Sequence, residues 1–277
     1  MAVWASRVYK EYPGFYLVGE TWVESEAHEA WWAGKGQDDN NSFNSRLNSI
    51  TDFPLCFAMH RAFKKDGDVN ELYKVLSKDF LYNDPWHNKV FADNHDMDRL
   101  FHVLDRNTDE FMLAMTFLFT TRGIPQLFYG TEILMDGHGE HGVLRQDFPG
   151  GWEGDERNAF EGEGRTENEN EAFDYIKKLL NWRKDSDAIR HGKLRHFVPY
   201  DNIYVYNRAS DKESILVILN NGDEPKKIDM SRYKEVLKDF GTATDVINGK
   251  KLSDLQVIEA EGNSALVLKL EPGLKAD

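Results

Sequence analysis

The chain has 277 residues, of which 40% are hydrophobic and 13% aromatic, enough for one or two packed cores and too many for a disordered protein. Its 34 basic and 48 acidic side chains give a net charge of −14, and no basic block stands out. This balance argues against a nucleic-acid partner and fits a neutral polar ligand better.

Cysteine and hydropathy patterns narrow the class further. Cys56 is the only cysteine and lies in an apolar run, so no internal disulfide can form and a buried small side chain is expected. No apolar stretch reaches about 18 residues, and the N-terminus lacks the regions of a signal peptide. We expect no membrane span and no membrane partner, and the compartment cannot be read from this chain.

Helix-like and strand-like segments alternate through the first 190 residues. Apolar spacing predicts helices over 1–12, 69–80, 109–121 and 169–184, and short apolar runs predict buried parallel strands at 15–18, 51–57, 89–92 and 124–129. Successive strand centres at Leu17, Phe53, Phe91 and Leu127 are 36, 38 and 36 residues apart. This rhythm predicts a β–α unit repeated four times.

The pattern changes near residue 191 to short alternating strands with polar turns. Strands are predicted at 203–208, 214–220, 243–247, 255–258 and 265–270, and Asn-Gly pairs at 221–222 and 248–249 indicate hairpins. We therefore predict two domains, an α/β part over 1–190 and an antiparallel β-sandwich over 191–277. The acidic, Gly-rich segment 150–169 is predicted to be one long surface loop.

Polar groups follow the first and third predicted strands directly. Glu20 and Trp22 follow the first strand, and Asn94, His95 and Asp96 follow the third. The carboxyl ends of parallel strands are where α/β folds build sites, and these residue types suit acid/base chemistry on a small molecule. A structural reading stays open, in which Glu20 caps the next helix and His95 and Asp96 order a turn.

Two further clusters of polar residues require an explanation. Asp93, Asp96 and Asp98 lie within six residues, where like charges repel unless a cation, a ligand or catalysis uses them. Asp136, His138, Glu140 and His141 have the residue types of a metal site, but the glycines among them favour a solvated loop. We expect no metal on this chain.

Four stretches together resemble signature regions of the alpha-amylase superfamily, glycoside hydrolase family 13. They are GETW at 19–22, FADNHD at 91–96, GIPQLFYGTE at 123–132 and, in support, LRQDFPGGW at 144–152. Within the superfamily the chain is most similar to the neopullulanase and cyclomaltodextrinase group. The resemblance implies a (β/α)8 TIM barrel and hydrolysis of α-glucosidic bonds in starch-type glucans with retention of configuration.

The resemblance also implies roles for individual residues. Glu20 matches the general acid/base, Asp96 the carboxylate that stabilises the transition state, and His95 a histidine that binds the sugar. The remaining substrate-binding candidates are Asn94, Trp22, Arg99, Tyr129, Arg145 and Trp152. Asp93 and Asp98 are expected to serve the fold, and Trp86 to pack, whereas Trp22 and Trp152 have the flat apolar faces that stack on sugars.

The chain departs from the family pattern in one large respect. A retaining glycosidase needs a carboxylate nucleophile as well as an acid, and the Gly-x-Arg-x-Asp motif that carries it in the family does not occur here. Only four of eight β–α units are predicted. The chain is therefore expected to be the C-terminal half of such an enzyme, inactive alone and prone to self-association through exposed barrel edges.

Two other classes of function stay open at this point. One is a noncatalytic remnant that only binds glucans or has no function; the other is a metal-dependent hydrolase centred on His95, Asp96 and Asp98. No cofactor is expected on this chain, because the family's structural calcium is held mostly by upstream residues. By resemblance, a full-length parent is expected to be periplasmic or extracellular, and the preferred α-glucan cannot be read from this half.

Overall fold

The structure is a computed structural model that describes residues 1–33 and 43–273. The last four residues of the predicted 191–277 domain lie outside the described residues. No helix in the described ranges is long and apolar enough to cross a membrane.

Four short parallel strands run through the first part of the chain. Hydrogen-bonded pairing joins the first to the second and the third to the fourth, and a single parallel bridge between Thr51 and Lys89 connects the two pairs. The strands therefore lie side by side in chain order, as the repeated β–α rhythm predicts. They are shorter than predicted, and the first two are displaced, since the first shares only Val18 with the predicted 15–18 and the second precedes the predicted 51–57. The strands are β1 Val18–Gly19, β2 Ser49–Ile50, β3 Lys89–Phe91 and β4 Ile124–Gln126.

Helices separate these strands and cover them. The long helices agree with the predicted ranges to within one or two residues, and Thr166 begins the longest of them with a capping box to Glu169. The helices of this part are α1 Ala2–Glu11, α2 Glu26–Trp32, α3 Phe53–Phe63, α4 Asn70–Leu76, α5 Leu100–Val103, α6 Thr108–Thr120, α7 His141–Leu144, α8 Glu167–Asp185 and α9 Asp187–His191.

The strand predicted at 51–57 is wrong beyond its first residue. Asp52 caps helix α3, and its carboxylate accepts a hydrogen bond from the backbone N–H of Leu55 at 3.0 Å. Pro54 lies in the first turn, where its missing N–H costs nothing. Because α3 is buried on most sides, its sequence lacks the polar face that marks a surface helix and resembles a buried strand.

The C-terminal part is an antiparallel β domain. Its main sheet has six strands in the order β10-β9-β12-β7-β6-β5, and β8 pairs separately with β11. The one α-helix of this part in the described ranges is α10 Lys234–Leu237, which follows a 3-10 turn at Met230–Tyr233. The strands are β5 Lys193–His196, β6 Ile203–Ala209, β7 Ser214–Asn220, β8 Lys226–Asp229, β9 Phe240–Asp245, β10 Lys251–Leu252, β11 Val257–Ala260 and β12 Ser264–Pro272.

The central strands of the six-stranded sheet are buried on both faces. On one face Val205, Leu216 and Ile218 pack with Ile228 and Ile258 of the small sheet, as expected for a sandwich. On the other face Tyr206 and Val217 join the same core as helices α6 and α8. The α/β part and the β domain therefore share a core, and the division at residues 190 and 191 stays a prediction.

The two Asn-Gly pairs have different outcomes. Asn248 and Gly249 lie in the turn between β9 and β10, which pair antiparallel, so this hairpin is confirmed. Asn221 and Gly222 connect β7 to β8, which belong to different sheets, so the hairpin predicted there is wrong. The side-chain amide of Asn221 instead donates to the carbonyl oxygen of Ala62 at 2.9 Å and so links the β domain to helix α3.

Candidate active site

The three aspartates that follow β3 have different partners. Asp93 is buried, and its carboxylate accepts hydrogen bonds from the backbone N–H of Leu100 at 2.9 Å and from the hydroxyl of Thr131 at 3.0 Å. Burial raises the pKa of Asp93, and these donors partly oppose that shift. Asp98 accepts from His138 and from the backbone N–H of Gly139, both at 2.9 Å. The like charges that the sequence crowds together are therefore turned apart, and Asp93 and Asp98 hold loops.

Asp96 is at the centre of a partly exposed polar cluster. One carboxylate oxygen binds Arg145 and lies 3.5 Å from Nδ1 of His141, while the other lies 3.1 Å from Nε2 of His95. The side-chain oxygen of Asn94 accepts the backbone N–H of Asp96 at 2.8 Å, which fixes the turn. The cluster joins the end of β3 to the segment after α7, so residues far apart in sequence meet at one carboxylate.

Arg145 holds this arrangement together through a second bond. Its Nε donates to the backbone oxygen of His95 at 2.9 Å while a terminal nitrogen binds Asp96. A guanidinium that binds both the backbone of the turn and one carboxylate oxygen limits the rotation of the Asp96 side chain. The Asp96 carboxylate is therefore oriented in advance of any ligand.

Tyr129 and Arg99 form the neighbouring support. Arg99 is fully buried and donates to the backbone oxygens of Tyr129 at 2.6 Å and Leu144 at 3.1 Å, with its guanidinium 4.0 Å from the Phe128 ring centre. The hydroxyl of Tyr129 donates to the carbonyl of Gln146 at 2.8 Å. Arg99 is thus placed to position Tyr129 from below, and its role in binding a ligand stays a prediction.

The turn after β4 requires glycine at position 130. Gly130 has φ +82°, and a Cβ there would lie 2.0 Å from the sulfur of Met135. Only glycine combines this backbone conformation with so close an approach at no steric cost. The Gly in the FYG stretch therefore maintains the turn that follows Tyr129.

Glu20 and Trp22 lie at the end of β1. Glu20 is exposed. Burial lowers the pKa of Lys89 at the start of β3, and the negative charge of Glu20 partly opposes this shift. The half-exposed Trp22 ring stacks on Phe53 at 4.6 Å between ring centres, and Phe53 packs edge-on against Phe91 at 5.0 Å. A chain of aromatic rings thus connects Trp22 to the strand that precedes Asp96.

Trp152 lies on the loop that follows the Arg145 segment. Its ring is 73% exposed, and its backbone N–H donates to Asp155 at 2.9 Å. The structure brings Asn94, His95, Asp96 and Arg145 into direct contact, places Arg99 and Tyr129 beside them, and leaves Trp152 as an open apolar surface on a loop.

The acidic and histidine-rich segment after β4 pairs with residues between 96 and 106. Asp136 accepts from His102 at 2.9 Å and from Nε of Arg106 at 2.7 Å, and the rings of His102 and His138 stack at 4.6 Å. Within residues 1–33 and 43–273, no group of three or more His, Cys, Asp or Glu side chains has a geometry that could hold a metal ion.

Sequence reasoning missed a buried ionic network beneath the site. Arg122, at the end of α6, forms ion pairs with Asp52 and, at 2.7 Å, with Asp79, and its side chain is fully buried. Glu29 of α2 accepts the hydroxyl of Tyr82 at 2.6 Å and the backbone N–H of Phe53 at 2.9 Å. Burial and the charge of Asp52 raise the pKa of Glu29 to about 10, so this carboxyl is protonated at neutral pH.

Part of this network had a sequence signal. Asp52 stands directly before Phe53-Pro54, which is the pattern of a helix N-cap followed by an early proline. Arg122 is the only charged residue in the run from Phe111 to Tyr129, and a charge in such a run is expected to be paired when buried. The identities of its partners depend on tertiary contacts that no local pattern contains.

Comparison with known proteins identifies the family. Residues 1–158 match the family model described as alpha amylase, catalytic domain, and residues 194–269 match the one described as cyclo-malto-dextrinase C-terminal domain. The chain belongs to the alpha-amylase family. The resemblance drawn from the sequence motifs is therefore confirmed at the level of the family, and an alpha-amylase catalytic region is followed by an all-β domain.

Relatives agree with this assignment. The chain is 28% identical over 249 residues to a cyclomaltodextrin glucanotransferase of Bacillus licheniformis, covering 89% of this chain and 31% of that protein. It is 23% identical to a cyclomaltodextrinase of Thermoanaerobacter pseudethanolicus, covering 93% and 40%. The alpha-amylase of Geobacillus thermoleovorans complexed with acarbose superposes with a TM-score of 0.80 at 24% identity, covering 99% of this chain and 57% of that one. The chain thus spans about a third of the length of the first curated relative.

Proposed function

We propose that this chain supplies part of the active site of a retaining glycoside hydrolase acting on α-1,4, or alternatively α-1,6, glucosidic bonds of starch-type glucans. One observation carries the proposal: an exposed carboxyl group at the end of β1 and an oriented carboxylate after β3 lie at the same edge of a parallel sheet, in a chain of the alpha-amylase family. Strands β1 and β3 are two strand spacings apart, about 10 Å.

Glu20 acts as the general acid/base in this proposal. It is exposed at the strand end, where a leaving-group oxygen can approach it, and proton transfer by such a group contributes about 10²–10⁴-fold to rate. Asp96 binds sugar hydroxyls and stabilises the positive charge that develops at the anomeric carbon. Arg145 keeps Asp96 in the orientation that this role requires.

The remaining residues bind the substrate or support those that do. His95 has an exposed ring beside Asp96 and is placed to donate a hydrogen bond to a sugar hydroxyl. Trp22 and Trp152 offer exposed aromatic faces for pyranose rings. Asn94 and Arg99 are buried, so they act through the turn and through Tyr129 respectively.

The nucleophile is supplied by sequence outside this chain in our proposal. No Gly-x-Arg-x-Asp motif occurs in the 277 residues, and the four parallel strands correspond to half of an eight-stranded barrel. The chain then represents the C-terminal half of the catalytic unit. The acarbose complex of the amylase neighbour and the names of the cyclodextrin-acting relatives support an α-glucan as substrate.

Exposed apolar side chains next to β1 and on β4 support an incomplete barrel. Tyr16 and Val18 are exposed at one end of the four strands, and Ile124 and Tyr129 at the other. Unpaired strand edges associate with other strands. We therefore propose that the isolated chain self-associates, which sedimentation at several concentrations tests, and a monomer at all of them would contradict it.

Substitutions in the chain joined to an upstream half with the nucleophile test the assignment. Glu20→Gln keeps the shape of the side chain but cannot donate the proton, so we expect a loss of about 10²–10⁴-fold in kcat for maltotriose. Asp96→Asn should lower kcat heavily and His95→Ala moderately, because the electrostatic effect at the transition state exceeds that of one hydrogen bond.

Asp98→Asn is the matched control, since Asp98 is two residues from Asp96 and binds His138 and Gly139 instead of the site. We expect it to keep most of the activity. Turnover by Glu20→Gln close to that of the parent would exclude Glu20 as the acid, and equal losses in Asp96→Asn and Asp98→Asn would contradict the role of Asp96.

A further inference from the structure

A polar cavity lies where the α/β part meets the β domain. Its volume is about 200 Å³, and the α/β part contributes the turn between α3 and α4 and the start of α6. The β domain contributes the connection from β7 to β8 and the turn before β12. All of its lining residues are polar or charged: Lys64, Lys65, Asp66, Asn107, Glu110, Asn221, Asp223 and Asn263.

Glu110 is the buried acid of this cavity. The residue is 8% exposed, and its Oε2 has no hydrogen-bond partner among the described residues. Ionisation of a buried carboxyl group that lacks a partner is costly, whereas a bound proton removes the charge and most of that cost. Neither the polar cluster around Asp96 nor the Arg122 network uses this side chain, so its burial needs another explanation.

Charged groups surround Glu110 on each element that forms the cavity. They are Asp105 before α6, Lys64, Lys65 and Asp66 in the turn between α3 and α4, and Asp223 after β7. Burial, followed by the charges of the three aspartates, raises the pKa of Glu110 to about 7, and Lys65 partly opposes this shift. Glu110 therefore changes its charge near neutral pH.

Asn221 clamps the two parts of the chain together beside this acid. Its side-chain amide donates to the carbonyl oxygens of Ala62 at 2.9 Å and Gly67 at 3.3 Å, on either side of the two lysines in the chain. Asp223 lies two residues after Asn221, on the same short connection. Repulsion between Glu110 and Asp223 therefore acts on the segment that makes these two bonds.

We propose that Glu110 serves as a proton-controlled joint between the α/β part and the β domain. With the proton bound, Glu110 is neutral, and the connection from β7 to β8 stays clamped on α3 through Asn221. When the proton passes to water, the new carboxylate is repelled by Asp66 and Asp223, so the clamp opens and water reaches the cavity. The core shared by α6 and β7 keeps the two parts together, so the opening is local. The inference does not depend on glycosidase activity.

Hydrogen exchange of the full chain at several pH values tests the joint. Protection, the ratio of the intrinsic to the observed exchange rate, is measured at the backbone N–H groups of Gly67, Asn221 and Asn263, which are hydrogen-bonded in the turns around the cavity. Stabilisation by the bound proton is complete below about pH 4.5 and is lost as the pH rises to about 7. Protection should therefore fall at least about tenfold from pH 5 to pH 8 in the parent and stay constant in Glu110→Gln, which remains neutral.

Two exposed neighbours of Glu110 should change this result in opposite directions. Asp223→Asn removes a like charge and should make the fall in protection smaller, whereas Lys65→Met removes an opposing charge and should make it larger. Asp109→Asn is the matched control, since Asp109 is an exposed carboxylate next to Glu110, and it should leave the fall unchanged. Constant protection in the parent, or a fall that persists in Glu110→Gln, would overturn the proposal. Changes of the same sign in Asp223→Asn and Lys65→Met would also overturn it, because charge would then not control the joint.

Discussion

The parallel and antiparallel parts of this chain maintain their strands by different means. Strands β1 to β4 have two or three residues each, and one bridge, Thr51 to Lys89, joins their two pairs. Strands β6, β7 and β12 have seven to nine residues and pair along nearly their whole length. Backbone pairing fixes the β domain, whereas side chains must supply much of the order around the candidate active site.

The buried Arg122 network supplies that order. Arg122 connects the end of α6 to Asp52, which begins α3, and to Asp79, so it fixes elements that backbone hydrogen bonds join only weakly. In the β domain the exposed Arg195 forms a 3.6 Å ion pair with Glu235, whereas the buried Arg208 binds backbone oxygens and no carboxylate in the described ranges. The Arg122 ion pairs should therefore contribute much more to the free energy of unfolding than the Arg195 ion pair does.

Removal of the buried cation should have the largest effect on stability. Arg122→Met leaves the buried Asp52 and the partly buried Asp79 without a counter-charge, and breaking a buried pair costs about 3–5 kcal/mol. Arg195→Met should cost less than about 1 kcal/mol, because exposed pairs contribute little. Urea unfolding of both variants measures the difference, and equal losses would show that the network does not hold the parallel part.

Glu29 should make the stability of the parallel part depend on pH. Its pKa is about 10 in the folded chain against an ordinary value of 4.5, so folding is favoured by the bound proton. That stabilisation is complete below about pH 4.5 and is lost as pH rises towards 10, with a slope of up to about 1.4 kcal/mol per pH unit. Glu29→Gln keeps an acceptor for the backbone N–H of Phe53, places an NH2 donor towards the Tyr82 hydroxyl, as a protonated carboxyl does, and should abolish this slope.

Unfolding of the parent and of Glu29→Gln at pH 6, 7, 8 and 9 tests this expectation. The parent should lose stability relative to the variant at each step. Glu235→Gln in the β domain is the control, because Glu235 is exposed and should leave the parent's slope unchanged. Parallel curves for the parent and Glu29→Gln would mean that Glu29 is already ionised in the folded chain.

The smallest expected effect is that of removing one methyl group from a strand in each part of the chain. Ile218 of β7 is fully buried between two packed layers, whereas Ile124 of β4 is 43% exposed at an unpaired edge. Ile218→Val should cost about 0.5–1.5 kcal/mol, and Ile124→Val should have almost no effect on the free energy of unfolding. A comparable cost at Ile124 would mean that the edge is covered in solution by another chain.

The sequence predicted those elements whose pattern is local. Helix α6 begins with Asn107, whose side chain accepts the backbone N–H groups of Asp109 and Glu110, and α8 begins with a capping box, so both were found to within two residues. Strand β7 was predicted with its observed bounds. These signals lie within a few residues of the element they begin.

Failures occurred where contacts distant in sequence decide the outcome. Helix α3 packs against α4, α6 and β3, so its apolar run is typical of a buried strand, and its Asp52 cap was the stronger signal. Asn221 binds Ala62, 159 residues away in the chain, instead of forming a hairpin. Register and burial at such positions are tertiary properties.

The candidate site was likewise predictable only where its signals are local in the sequence. The motifs located Glu20, His95 and Asp96 at strand ends, and the structure places them there. The bond from Arg145 to Asp96 spans 49 residues, and the burial of Arg99 follows from packing under Phe128, so neither could be read from the sequence. Catalytic roles for these residues remain our proposal.

The central claim is that this chain holds the acid/base and the stabilising carboxylate of a glycosidase but not its nucleophile. Release of reducing sugar from soluble starch, measured with the chain alone and after addition of a separately made upstream half with the Gly-x-Arg-x-Asp carboxylate, tests this claim most directly. We predict no release by the chain alone, release by the mixture, and its loss in Glu20→Gln. Release by the chain alone that disappears in Glu20→Gln would contradict the account, because a residue of this chain would then act as the nucleophile.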